Sequence, residues 1–319
     1  MAENTKIEWA DATVNHWAGC TKVSPACDQC YAERMAKRLW GVEWGAGQPR
    51  KKYVSSRDML EALDRKARRL GRPLRVFHNS LSDFFDNEVP GAWRAQALQV
   101  MKDTPNLIHL LLTKRIGNAA RMLDEAAELM DSGMGVWAPS VFPHVWIGAT
   151  VVNQEEAERD IPKLLRVPAA KRFLSLEPLL SSVIVFSLDG PLDVPEGFKS
   201  PIDWVIVGGE SGHGARPMHP DWVRCLREQC LSVGVPFFFK QWGEWADMGA
   251  AQISAAGPSM TKSGHVSDWL RQRIQHADGS ARNVDAYTWT GHATELMYRV
   301  GKKAAGRMLD GRTWDEVPT

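Results

Sequence analysis

"RVFHNSLSDFFDNEVPGAWRAQALQVMKDTPNLIHLLLTKR", residues 75–115, carries the pattern that decides the fold. It opens on the apolar run "RVFHN" (75–79), passes through a helix-like segment at Ala92–Lys102 and closes on "LIHLLLT" (107–113). Both runs are continuously apolar rather than alternating, the mark of strands covered on both faces. Strand, helix and strand in close succession form the unit from which parallel sheets are built.

The alternation continues in both directions. Further strand-type runs are "TVNHW" (13–17), "VWIGATVV" (145–152), "RFLSLE" (172–177), "DWVIVGGE" (203–210) and "PFFFKQ" (236–241). Helices are predicted at Glu33–Leu39, Ser56–Leu70, Asn118–Met130, Gln154–Leu165 and Asp221–Ser232. Right-handed crossovers on about six to seven strands predict an α/β fold, a partly closed parallel (β/α) barrel, or an open doubly wound sheet if the barrel fails to close. Residues 1–245 are expected to form this barrel, with a cysteine-bearing loop near its start. Residues 246–319 are expected to be a C-terminal extension: a turn-rich loop, a short helix at "HATELMYRV" (292–300) and an irregular basic tail. The 246–291 stretch is a candidate lid over the barrel mouth.

Composition narrows the function classes. The 319 residues are 44% apolar, enough for a sizeable core, and the net charge of +1 excludes a uniformly basic nucleic-acid coat. "MAENTKIEWADATVNHW" (1–17) lacks the apolar core of a signal peptide, and no run approaches the ~18 apolar residues of a membrane span. A soluble cytoplasmic protein with no membrane partner is expected. In a reducing compartment, clustered cysteines point to metal binding or catalysis before disulfides.

Chemistry-bearing residues gather where strands end. Asn79 follows the second strand, with Ser80 and Asp83 just beyond. Lys114 and Arg115 follow the third, Glu177 the fifth, "GGESG" (208–212) the sixth, and Lys240 lies in the last. In a β/α barrel, the carboxyl ends of the strands form the active face. Gly208 and Gly209 permit close approach of a ligand, and Glu210 can take a ribose hydroxyl or an amine. Lys114, Arg115 and Lys240 make a cationic rim suited to a carboxylate or phosphate. Trp242 and Trp245 can stack on a base or pack in the core. Glu177 and Glu210 could also be acid and base in a hydrolase, although neither G-x-S-x-G nor H-E-x-x-H occurs.

The most specific feature is "GCTKVSPACDQCYAERMAKR" (19–38), which places Cys20, Cys27 and Cys30 in a C-x6-C-x2-C pattern after the first strand. Zinc with His16 as fourth ligand is one reading. A [4Fe–4S] cluster with three protein thiolates, leaving one iron open to a cofactor, is another. Cys225 and Cys230, five apart on a predicted helix, make a poor chelating pair and are expected to be structural.

Three cysteines after the first strand of a parallel β/α barrel, with an aromatic residue after the third, resemble the radical S-adenosylmethionine (SAM) enzymes. Their usual spacing is C-x3-C-x2-C, and the first gap here is six. More closely, the chain resembles a phage- and bacteria-associated family of radical-SAM-like three-Cys-motif proteins. The resemblance also rests on "LLTKR" (111–115), "SLEPLL" (175–180), "WVIVGGESG" (204–212), "ARPMHPDWVR" (215–224), "PFFFKQWGEW" (236–245) and "GRMLDGRTWDEVP" (306–318). It implies an iron–sulfur enzyme in which Cys20, Cys27 and Cys30 ligate a [4Fe–4S] cluster and SAM yields a 5′-deoxyadenosyl radical. Asn79, Lys114, Glu177, Gly208, Gly209 and Glu210 would then hold the cofactor, and Glu177 and Lys240 would serve catalysis. A flavodoxin- or ferredoxin-type electron donor follows from the same resemblance. A nucleic-acid or nucleotide substrate follows from family association, the cationic rim and the aromatic residues. The alternative is a non-catalytic iron–sulfur or zinc protein associated with nucleic-acid processing.

Overall fold

The structure, a computed structural model, describes residues 5–130, 137–186, 202–247, 272–276, 281–283 and 294–319. Its elements run β1 (Ala12–Val14), β2 (Trp17–Ala18), a 3-10 turn (Pro25–Cys27), α1 (Tyr31–Trp40), β3 (Lys51–Lys52), α2 (Ser56–Leu70), β4 (Leu74–His78), α3 (Gly91–Asp103), β5 (Leu107–Thr113) and α4 (Ala119–Glu128). They continue with β6 (Val145–Thr150), α5 (Gln154–Arg166), β7 (Lys171–Leu176), β8 (Trp204–Gly208), α6 (Pro220–Val233) and β9 (Phe237–Gln241). The last are β10 (Trp245–Asp247), β11 (Gln272–His276), β12 (Ala281–Asn283), β13 (Thr294–Arg299) and α7 (Lys302–Ala305).

The fold is α/β. A seven-stranded sheet has the order β1-β4-β5-β6-β7-β8-β9. Its strands therefore follow one another in chain order, the sequence of a (β/α) barrel. β1 pairs with β4, β4 with β5, β5 with β6 and β8 with β9, all parallel. The continuous hydrophobicity has the expected consequence: every residue of β6 and β8 is buried.

The helices start and stop for local reasons. In α2, Leu60, Leu63 and Ala67 recur at helical spacing and bury against Ala12, Val14, Leu74 and Val76. Each buried leucine stabilises the fold by about 2 kcal/mol. Gly71 ends α2 with φ +65°, a conformation that suits glycine. α6 begins with Pro220 in its first turn, and the His219 ring accepts from the Asp221 amide. His219 is therefore a buried helix cap.

Three expectations are corrected. The run at 13–17 is two short strands, with Asn15 and His16 between them, and β2 turns away to pair with β3, Trp17 opposite Lys52. The helix predicted at 292–300 is instead strand β13, paired antiparallel with β10 and β11. In "TELMYR" two neighbouring strands supply the backbone partners that override a weak helical preference. The 246–291 stretch is not wholly loop, because β11 and β12 lie in it and join a four-stranded sheet of order β10-β13-β11-β12. The rest of the proposed lid lies outside the described residues.

The chain forms two compact units. One comprises Met1–Thr150, Arg159–Leu174 and Val194–Asp203; the other comprises Val151–Glu158, Ser175–Asp193 and Trp204–Thr319. No helix among the described residues is long and apolar enough to cross a membrane.

Candidate functional site

The cysteine segment is built by backbone turns. Ser24 caps the 3-10 turn, its Oγ accepting from the Ala26 amide at 3.1 Å. The Cys27 amide donates to the Ser24 carbonyl at 2.8 Å, and the Cys30 amide to the Cys27 carbonyl at 3.3 Å. Cys30 is the N-cap of α1. All three thiols are free, as are Cys225 and Cys230. Cys230 is buried, and Cys225 accepts from Gln229 on the next turn of α6, in keeping with structural roles.

One cation holds the first cysteine. Arg115, just past β5, places Nη1 3.3 Å from Cys20 Sγ, and its Nη2 donates to the Thr21 carbonyl at 2.5 Å. The same guanidinium pairs with Asp83 at 3.2 Å, with both side chains buried. Asp83 also accepts from Thr113 Oγ1 at 2.7 Å, the Phe85 amide at 2.9 Å and the Lys114 amide at 3.0 Å. Burial and the Asp83 charge push the Cys20 thiol up to about 12, against the pull of Arg115. Arg115 loses solvation by burial, but Asp83 and Cys20 outweigh that loss and hold its charge more firmly. The Cys20 thiol is thus protonated when unligated, beside a cation already fixed to receive its negative charge.

Asn79 serves the same region. It adopts φ +58°, and its side chain accepts from the His16 amide at 3.3 Å and donates to Ser82 Oγ at 2.8 Å. It fixes the chain beyond β1 to the chain beyond β4. Sequence reading missed Arg50, whose side chain is fully buried. It pairs with Asp86 at 2.8 Å and Glu88 at 3.1 Å, and donates to Thr21 Oγ1 at 2.9 Å. "GQPR" (47–50) has no periodicity that would place an arginine inside. Among the described residues, no three His, Cys, Asp or Glu side chains are gathered closely enough to hold a metal ion. The donor set itself, free thiols on a short loop with a guanidinium aimed at one sulfur, suits a thiolate-bound metal group.

A family model described as "Protein of unknown function (DUF5131)" matches residues 4–318. The chain belongs to this family. No curated protein matches the chain, and no solved structure does.

In this DUF5131 chain the remaining predicted residues, Glu177, Gly208, Gly209, Glu210 and Lys240, lie in the second unit. Glu177, directly after β7, pairs with Lys240 of β9 at 2.6 Å. Glu210 is buried and held by Arg216 through three bonds, Nη2 to Oε1 at 2.6 Å, and Nε and the backbone amide to Oε2, each at 2.8 Å. Arg216 is the partner that sequence reading did not assign. The two glycines differ. A Cβ on Gly209 would stand 1.9 Å from the Trp242 carbonyl, whereas on Gly208 it would meet Glu177 and Lys240 at an ordinary 3.4 Å. The close approach at Gly209 is made by the chain's own backbone. Trp242 and Trp245 are buried, donating to the Met308 and Ala215 carbonyls at 2.8 and 2.7 Å, so packing and not base stacking accounts for them.

Proposed function

We propose that Cys20, Cys27 and Cys30 ligate an iron–sulfur cluster and that the protein is a radical SAM-type enzyme built on a partly closed (β/α) barrel. The observation that carries this reading is the Arg115 N–H directed at Cys20 Sγ from a buried, carboxylate-anchored guanidinium. Hydrogen bonds to ligand sulfurs and a compensating positive charge are what stabilise a thiolate-bound cluster. With SAM bound, such a cluster supplies one-electron reductive cleavage and an organic radical able to take a hydrogen atom from substrate.

The chain's own contributions can be named. Cys20, Cys27 and Cys30 provide sulfur, and Arg115 offsets charge at Cys20. Asp83 orients Arg115, with Thr113 and the Lys114 amide fixing Asp83 in turn. In the second unit, the Glu177–Lys240 pair sets a carboxylate and an ammonium side by side. A nucleic acid or nucleotide is the proposed substrate class, with a flavodoxin- or ferredoxin-type donor in a reducing cytoplasm. Zinc coordination with His16 as fourth ligand is less well supported, because His16 lines a cavity whose lining includes none of the three cysteines.

The deciding experiment is anaerobic purification, iron and sulfide reconstitution, reduction and addition of SAM. Formation of 5′-deoxyadenosine is expected. A colourless protein holding one tight zinc and cleaving no SAM overturns the reading.

A further inference from the structure

A cavity of about 390 Å³ in the first unit is lined by the β2–β3 pair and the facing turns of α2 and α3. Its lining includes His16, Lys52, Arg57, Trp93 and Gln96, and contains neither a carboxylate nor any of the three clustered cysteines. Lys52 Nζ lies 5.5 Å from the centre of the Trp93 ring and also donates to Gln96. Arg57 is anchored at 3.5 Å to both Glu61 and Asp103. The walls thus offer aromatic surface and cationic charge in a volume at the small end of metabolite sites.

A buried polar chain starts at one lining residue, His16. His16, His78 and His109 are all buried and form a chain: His16 Nε2 lies 3.0 Å from His78 Nδ1, and His78 Nε2 lies 2.9 Å from His109 Nδ1. His109 Nε2 ends the chain at Thr104, 3.2 Å from its carbonyl and 3.2 Å from its hydroxyl oxygen. The carbonyl can only accept, and the hydroxyl gives its own proton to the Val100 carbonyl at 2.7 Å. His109 therefore carries its proton on Nε2. Burial keeps all three rings neutral, so each has one N–H and one bare nitrogen. The bare Nδ1 of His109 requires Nε2–H on His78, and the bare Nδ1 of His78 requires Nε2–H on His16. The unprotonated nitrogen left over is His16 Nδ1. No described residue hydrogen-bonds it, and His16 lines the cavity.

We propose that this cavity binds a planar heteroaromatic anion of the nucleoside-monophosphate class, whose ring N–H donates to His16 Nδ1 and whose phosphate pairs with Lys52 beside the Trp93 ring. His16 acts here as an obligate acceptor, since the chain ending at Thr104 fixes its tautomer. A ligand offering a ring N–H is thereby preferred over one offering a lone pair, which would face another lone pair. The site is independent of the cysteine chemistry and requires no cluster.

Calorimetric titration of the full-length protein with UMP and GMP, both carrying a ring N–H, tests the proposal. Saturable binding of at least one is expected. Uridine without phosphate is expected to bind at least tenfold more weakly than UMP, and 3-methyluridine 5′-monophosphate about three- to tenfold more weakly. Lys52→Met is expected to remove the advantage of UMP over uridine, and His16→Phe the advantage of UMP over its methylated form. Because His16 is buried, nitrogen-15 NMR of the wild-type histidine rings supplies a test that needs no variant. All three rings should be Nε2–H tautomers, and the His16 Nδ1 resonance should move on adding the nucleotide that binds. Failure of both nucleotides to bind at millimolar concentration, indifference to N3 methylation, or an Nδ1–H tautomer at His16 overturns the proposal.

Discussion

Arg115 Nη1 stands 3.3 Å from Cys20 Sγ and 3.2 Å from the Asp83 carboxylate, so one nitrogen joins a buried acid to the first thiol of the cluster motif. Arg115→Leu removes the cation and leaves Asp83 buried with a surplus charge. Stranding one member of a buried pair costs about 3–5 kcal/mol, and urea denaturation is expected to register a loss of that size. Arg115→Leu with Asp83→Leu together should cost less than the sum of the two single changes, because neither charge is then stranded. Strict additivity in that cycle argues against a coupled pair.

The buried histidines make stability sensitive to acid. His16 and His109 are each driven down to about 3, by burial and then by Lys52 for His16 and by His144 for His109. His78 is also driven well below its ordinary value by burial and its two neighbours. An unfolded histidine takes up a proton near pH 6.5, so below that pH the unfolded chain binds more protons than the folded one. The stabilisation is full above the unfolded value and is lost as pH falls towards the folded values. Denaturant titrations should show the unfolding free energy dropping by roughly 4–6 kcal/mol from pH 7 to pH 5. A flat profile over that interval would contradict neutral rings in the folded state.

What the sequence made legible, and what it did not, divides along physical lines. The runs at 107–113 and 56–70 match β5 and α2 residue for residue, because hydrophobic period and a terminal glycine are local signals. β13 was misread as a helix, since its strand state depends on β10 and β11, each well separated from it in the chain. For Glu177, Glu210 and Lys240 the sequence shows position but not partner. Their positions after or within strands could be read, but that Lys240 meets Glu177 and Arg216 meets Glu210 depends on distance in space. The histidine chain was invisible for the same reason. His16, His78 and His109 lie far apart in sequence, and only the parallel pairing of β1, β4 and β5 brings together His78, His109 and the chain just past β1 that carries His16.

The two adjacent glycines after β8 separate packing from ligand approach. On Gly209 a methyl group would collide with the Trp242 carbonyl at 1.9 Å, and backbone cannot step aside as a side-chain tip can. Gly209→Ala is expected to destabilise by about 3 kcal/mol or more, with a changed Trp242 environment in fluorescence. Gly208→Ala meets only ordinary contacts and should cost less than about 1 kcal/mol. Equal effects from the two substitutions would indicate that the Gly209–Trp242 contact is not what requires glycine.

Metal titration reads the cysteine loop directly. A thiol must lose its proton to become a ligand, so metal affinity rises with pH according to the number of thiols deprotonated. Cys20 resists this most visibly, its thiol held up to about 12 by burial and Asp83, while Arg115 compensates the charge once the proton has gone. Cobalt(II) serves as a reporter, because thiolate ligation gives it an intense charge-transfer band. With three cysteine ligands, the logarithm of affinity should climb with a slope of about three against pH. Cys27→Ala should lower that slope to about two and weaken binding at least tenfold, whereas Cys225→Ala should change neither. A pH-independent affinity, or an equal loss on removing Cys225, would show that Cys20, Cys27 and Cys30 do not act together on one metal group.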